Sequence, residues 1–152
     1  MVTFKPKDVV KLRVKGQSVG HGRTDLEVRD LSLIMDEPTE RGGTNLGPSP
    51  TEHAYMALVG CTTSISNKCA KKLGIDIGQL TYEMVVEFDR RGVLLMEEVE
   101  VPFPSIKLDV TSNGAATQEE LEKVGMETAK YCAVSKLFEG AGTKVTVNWF
   151  KA

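Results

Sequence analysis

The sequence lacks the features that mark a membrane, secreted or nucleic-acid-binding protein. No apolar run approaches the roughly 20 residues needed to span a bilayer. The N-terminus, "MVTFKPKDVVKLRVKG", alternates charged and apolar residues without an h-region, which argues against a signal peptide. There is no long basic block and the net charge is -2, which disfavours nucleic acid or an anionic membrane surface as the main partner. Neither G-x-x-x-x-G-K-[ST] nor G-x-G-x-x-G occurs, so no phosphate-binding loop is supported. Cysteine is scarce and odd in number: Cys61, Cys69 and Cys132, with no C-x-x-C. That pattern fits neither a secreted disulfide framework nor a zinc finger, and it points to reduced thiols in the cytoplasm.

What is present describes one ordinary globular domain. The chain has 152 residues, enough to bury about two-thirds of its unfolded surface. Residues 8–17 and 24–35 alternate in part with period two and read as strands of an N-terminal antiparallel meander. "DEPTERGGTNLGPSP", residues 36–50, is a loop rich in turn formers. A helix then starts with Ser49 as N-cap, Pro50 at the first helical position and Glu52 closing an S-x-x-E capping box, and it stops at Gly74. Between Ala54 and Asn67 it carries no charge, and Ala54, Leu58, Cys61, Ile65 and Cys69 form one stripe. A helix this apolar must be enclosed on more than one side, which in a small chain suggests a second subunit. Strand-like runs follow at 79–89 and 97–111, then a helix from the Thr117 capping box to about Phe138, then a strand from Lys144. The order βββ-α-ββ-α-β is an α+β arrangement.

The thiols are the chemical candidates. Cys61 and Cys69 lie eight residues apart on one helix, about 12 Å, beyond the roughly 4.4–6.8 Å that a disulfide allows. Any intrachain redox pair must therefore include Cys132, which falls three turns after Leu121 on the same side of the second helix. Free cysteine often only packs, and for Cys69 packing is the reading. A reactive Cys61 lies too far from its helix start to gain from the dipole, so it needs a cation from elsewhere, with Arg23 and Arg41 as candidates. Glu52 could hold that arginine, although its capping position explains it without chemistry. His53 is about 12 Å along the helix from Cys61, His21 could approach only by folding, and no close pair of zinc ligands exists.

"DEPTERGGTNLGPSPTEHAYMALVGCTTS", followed by "YCAVSKLFE", resembles the OsmC/Ohr family of osmotically inducible and organic hydroperoxide resistance proteins. The resemblance runs through most of the chain, as a single OsmC-like domain over 1–152, and fits the broader OsmC-like branch. It implies an intertwined homodimer with two central helices packed on antiparallel sheets and active sites at the subunit interface. It also implies thiol-dependent reduction of organic hydroperoxides without metal or flavin. In that reading Cys61 is the peroxidatic cysteine, Cys132 the resolving one, and a dithiol, for example of lipoyl type, restores both. The activating arginine is Arg41 in an OsmC-like placement or Arg23 in an Ohr-like one. Arg41 is preferred because its loop leads into the helix. The Ohr-branch acid falls at Thr51 and here Glu52 follows it; Ala133 stands where the family often has proline. The alternative reading is a non-enzymatic protein that binds a small apolar ligand or senses oxidation.

Overall fold

The computed structural model describes residues 8–152. They fall into two compact units, one ending at Ala54 and one spanning Tyr55–Ala152, with a long helix running from the first into the second.

The first unit holds an antiparallel three-stranded sheet, β1 (Lys15–Ser18), β2 (Thr24–Val28) and β3 (Leu31–Met35), in that order. β2 and β3 form a hairpin whose Val28↔Leu31 pairing leaves Arg29 and Asp30 as the turn, with Arg29 at a left-handed φ of 58°. The expected first strand, 8–17, is shorter than its pattern. Among the described residues, 8–14 join no strand pairing, and Val9, Leu12 and Val14 are exposed.

Buried Asp36 organises the loop that follows. Its carboxylate accepts the backbone N–H groups of Glu37, Thr44 and Leu46 and the Thr44 hydroxyl. These bonds, with the Thr44 hydroxyl first, hold its pKa down to about 2. The loop is wound so tightly that a Cβ on Gly43 would lie 1.8 Å from the Glu37 carbonyl oxygen, a contact only glycine avoids.

Helix α1 (Pro50–Leu73) starts as its sequence announces. Ser49 Oγ accepts the Glu52 N–H at 3.4 Å and Glu52 Oε2 accepts the Ser49 N–H at 2.6 Å, which completes the capping box. Its buried residues are Leu58, Thr62, Ser66, Cys69 and Ala70. The expected stripe is therefore displaced: Leu58 and Cys69 hold, Ala54 is exposed, and Cys61 and Ile65 are half-buried. Small polar side chains fill the gap because they satisfy themselves locally, as when Ser66 Oγ donates to the Thr63 carbonyl at 3.2 Å.

In the second unit β4 (Leu80–Val86), β5 (Ser105–Ser112) and β6 (Lys144–Lys151) form a mixed sheet with β5 in the middle. β4 pairs antiparallel to β5, whereas β6 runs parallel to it, as the helical crossover between them permits. β5 buries Ile106, Leu108 and Val110 on one face, against Leu58 and Ala70 of α1 and Leu121 and Val124 of the crossover. The run 97–104 is not a strand, because Pro102 and Pro104 offer no N–H to a ladder.

The second helical region is two helices, α2 (Gln118–Tyr131) and α3 (Ala133–Gly140). Thr117 and Glu120 form the expected capping box of α2. The break falls at Cys132, whose ψ of 103° leaves the helical region and makes it the N-cap of α3. The expectation of a continuous helix with an interior Cys132 is thus corrected. Ala133 becomes the first residue of α3, a position that proline suits well.

Candidate active site

Cys61 and Cys132 meet in the second unit. Cys61 extends half-buried from α1, and Cys132, 2% exposed, closes the core at the α2–α3 break. Cys61 lies near enough to Cys132 to act on the titration of its thiol. Both are free thiols, and the Cys132 sulfur also accepts the Ser135 backbone N–H at 3.5 Å. Burial pushes the Cys132 thiol up, the Ser135 N–H opposes this, and the neighbouring Cys61 adds to the rise. Cys132 therefore holds its proton more firmly than a free cysteine does.

Beside Cys132 runs an open groove of about 640 Å³, walled by residues that include Thr62, Met126, Thr128, Trp149 and Phe150. Gly125 lines it, and a Cβ there would meet Trp149 Cδ1 at 2.5 Å. The sequence reading missed this groove and Ser135. A lone tryptophan on the last strand and a glycine inside a capped helix were the available signals.

Cys69, 5% exposed on α1, is placed as packing requires. Among the described residues no cluster of histidine, cysteine and carboxylate could hold a metal ion.

The remaining expected residues belong to the first unit. Glu52 lies below the ordinary carboxylate range, first because the Ser49 N–H bonds to it and more weakly because the Arg41 charge is near. Arg41 also approaches Glu37, with Nε 3.2 Å from Oε2. Arg23 is committed elsewhere: its Nε and a terminal nitrogen donate to the two Asp25 oxygens at 2.7 and 2.9 Å. Of the two arginines, then, Arg41 is the one whose charge acts on Glu52. His53 Nδ1 lies 3.1 Å from the Ser49 carbonyl oxygen, and His21 packs beside Gly42.

The family model for OsmC-like protein matches residues 43–148, which is well over half of the chain. The chain belongs to the OsmC-like family. Solved structures agree in fold. An OsmC-like protein from Mycoplasma pneumoniae superposes with a TM-score of 0.78 at 15% identity, covering 94% of this chain and 98% of that one. The organic hydroperoxide resistance protein OsmC from Legionella pneumophila gives 0.64 at 17% identity, over 96% and 99%. The organic hydroperoxide resistance protein OhrB of Bacillus subtilis gives 0.63 at 14% identity, over 92% and 98%. At these identities the likeness of this OsmC-like chain to its neighbours is one of fold. A comparison with curated proteins finds no match. Among the described residues no helix is long and apolar enough to cross a membrane.

Proposed function

We propose that this OsmC-like protein is a thiol-dependent peroxidase that reduces organic hydroperoxides to alcohols. The observation that carries the reading is that Cys61 and Cys132, 71 residues apart in sequence, come near enough for one thiol to act on the other. The names of the Legionella and Bacillus neighbours supply the substrate class. The Cys61 thiolate attacks the distal oxygen of the hydroperoxide, the O–O bond breaks, and the alkoxide leaves as the alcohol once protonated. Cys61 becomes a sulfenic acid, and Cys132 displaces its hydroxyl as water to give a disulfide. A dithiol then restores both thiols by exchange.

From the family resemblance Arg41 is assigned the stabilisation of the Cys61 thiolate and Glu52 the holding of Arg41, with Arg23 as the substitute. The Arg41 charge acting on Glu52 supports the second assignment. A family match that begins at residue 43, inside the first unit, supports treating residues 1–152 as one domain. The functional form is a homodimer, motivated by the uncharged stretch of α1 that leaves Met56 and Gly60 exposed. Three unpaired cysteines suit a cytoplasmic setting.

The test is turnover of a bulky organic hydroperoxide by the purified protein with dihydrolipoamide as reductant. Turnover that persists after Cys61→Ser sinks the assignment. The groove beside Cys132 favours one second reading, binding of a small apolar ligand without turnover. Ligand binding unaffected by either cysteine substitution, in a protein inert to peroxide, would establish that reading instead.

A further inference from the structure

We propose that the groove beside Cys132 is a binding site for an apolar chain that ends in a cation, of alkylammonium type, and that Glu122 and Glu139 select the charge. Such a site lies outside peroxide reduction and needs neither thiol to react. The ligand-binding reading narrows with it, from any small apolar molecule to one with a positive end.

The walls of the groove all belong to the second unit. β6 runs along it from Val145 through Val147 and Trp149 to Phe150, about 16 Å of strand at ~3.3 Å per residue. α2 adds Met126. A methylene chain laid against these side chains leaves water, and that transfer supplies the affinity.

Charge supplies the selectivity. The charged side chains that line the groove are both acidic, Glu122 of α2 and Glu139 of α3, and no lysine, arginine or histidine joins them. Each accepts a neutral hydrogen bond, Glu122 from Gln118 Nε2 at 3.1 Å and Glu139 from Ser135 Oγ at 3.4 Å. Among the described residues neither has a cationic partner. Lys144 and Thr146 alternate with Val145 and Val147 along β6 and so point to the opposite face of the strand. Lys151 is drawn off to the Ala116 carbonyl, which accepts from its Nζ at 3.1 Å. Uncompensated negative charge beside apolar surface attracts an ammonium and repels a carboxylate.

The two acids stand near opposite ends of β6. Gln118, one turn before Glu122, donates through Nε2 to the Trp149 carbonyl at 2.7 Å, which sets this part of α2 by the end of the strand. Glu139 lies in the last turn of α3, and just before β6 the Thr143 N–H returns to the Phe138 carbonyl at 3.0 Å. A chain lying either way along the groove therefore brings its ammonium toward a carboxylate.

Thr62 is an independent sign of an occupant. It is 2% exposed and lines the groove, and its hydroxyl has no hydrogen-bond partner among the described residues. That oxygen is not enclosed by protein, so it opens onto the groove. An unpaired hydroxyl in a groove wall costs free energy that a polar occupant recovers.

Three octyl compounds that differ only at one end put this to the test: octylamine, octanol and octanoate. Trp149 is the only tryptophan and lines the groove, so its fluorescence reports occupancy in the full chain. At neutral pH and low salt octylamine is expected to bind about tenfold more tightly than octanoate, with octanol between them, and the ratio to shrink as salt is added. In the double variant Glu122→Gln, Glu139→Gln the amine and the acid should bind alike. Both residues are exposed, and a glutamine oxygen still accepts from Gln118 and Ser135, so folding is not at stake. Octanoate binding as tightly as octylamine overturns the proposal, and equal binding of all three leaves only an uncharged apolar site. A groove that answers to none of them removes both. An octylamine response that appears only as sedimentation shows a dimer dissociating assigns the groove to a second copy instead. Peroxide plays no part in the readout, so a protein inert to hydroperoxides would refute the proposed function and leave this result standing.

Discussion

Glu52 accepts the Ser49 backbone N–H through Oε2 at 2.6 Å, at the first turn of α1. One carboxylate thus meets two separate demands, for an acceptor at the helix start and for a negative charge near Arg41. The two can be pulled apart, because a glutamine oxygen still accepts the Ser49 N–H but carries no charge. Glu52→Gln is expected to keep stability within about 0.5 kcal/mol, whereas Glu52→Ala costs about 1 kcal/mol. If the charge holds the arginine, peroxide turnover falls equally in both. Urea denaturation and steady-state kinetics on the two variants check this. A glutamine variant with full activity would reduce Glu52 to a cap.

Asp36 predicts an acid limit for the first unit. Its folded pKa is lowered from 3.8 to about 2, so its stabilisation is fully present above the unfolded value and is lost as pH falls from near 4 through about 2. Urea midpoints measured across that window should decline in the parent protein. Asp36→Asn should be less stable at neutral pH, since an amide offers hydrogens to N–H groups that need an acceptor, and it should show a flatter acid decline. Equal slopes in the two proteins would remove Asp36 as the cause.

Gly125→Ala places a methyl group 2.5 Å from Trp149 Cδ1. The gain in helix propensity, about 1 kcal/mol, opposes an overpacking cost of roughly 1–3 kcal/mol. The net expectation is modest destabilisation together with movement of the indole. Trp149 is the only tryptophan and is 6% exposed, so a red shift in fluorescence reports its displacement directly.

Gly60 tests the dimer. A Cβ there meets nothing within 4 Å among the described residues, so on a face open to water Gly60→Ala would raise stability by about 1 kcal/mol. If a second copy packs on this uncharged face, the added methyl is expected to weaken association instead. Sedimentation over a dilution series distinguishes the two, and a more stable protein with unchanged association would argue against an interface at Gly60.

Local chemistry was the legible part of the sequence. The Ser49–Glu52 and Thr117–Glu120 boxes each need only four adjacent residues, and both formed as read. The break at Cys132 was hidden because sulfur is not among the usual N-cap acceptors and Ala133 is an excellent helix former. Asp36 looked like any loop carboxylate, since its donors reach it only when Thr44 and Leu46 fold back over it. Pairing β6 parallel to β5 rather than antiparallel depends on where a crossover lands, which periodicity does not encode. Cys61 and Cys132 were nominated through the family pattern, and their contact depends on side-chain packing between segments far apart in sequence. The alternation at 8–14 misled in the opposite sense, because a strand needs a neighbour as well as a pattern.

The parallel pairing of β5 and β6 also bears on when the thiol pair comes into existence. α2, Cys132 and α3 all lie in the crossover that joins those strands, residues 113–143. Closing such a loop costs entropy before the long-range contacts that reward it have formed, which places it late in folding. Cys61 lies outside that crossover, on α1, whose helical contacts are local in sequence. The expectation is that Cys61 and Cys132 come together only once this crossover has closed. If the pair is oxidised as proposed, disulfide yield after refolding would count the molecules that have closed the crossover.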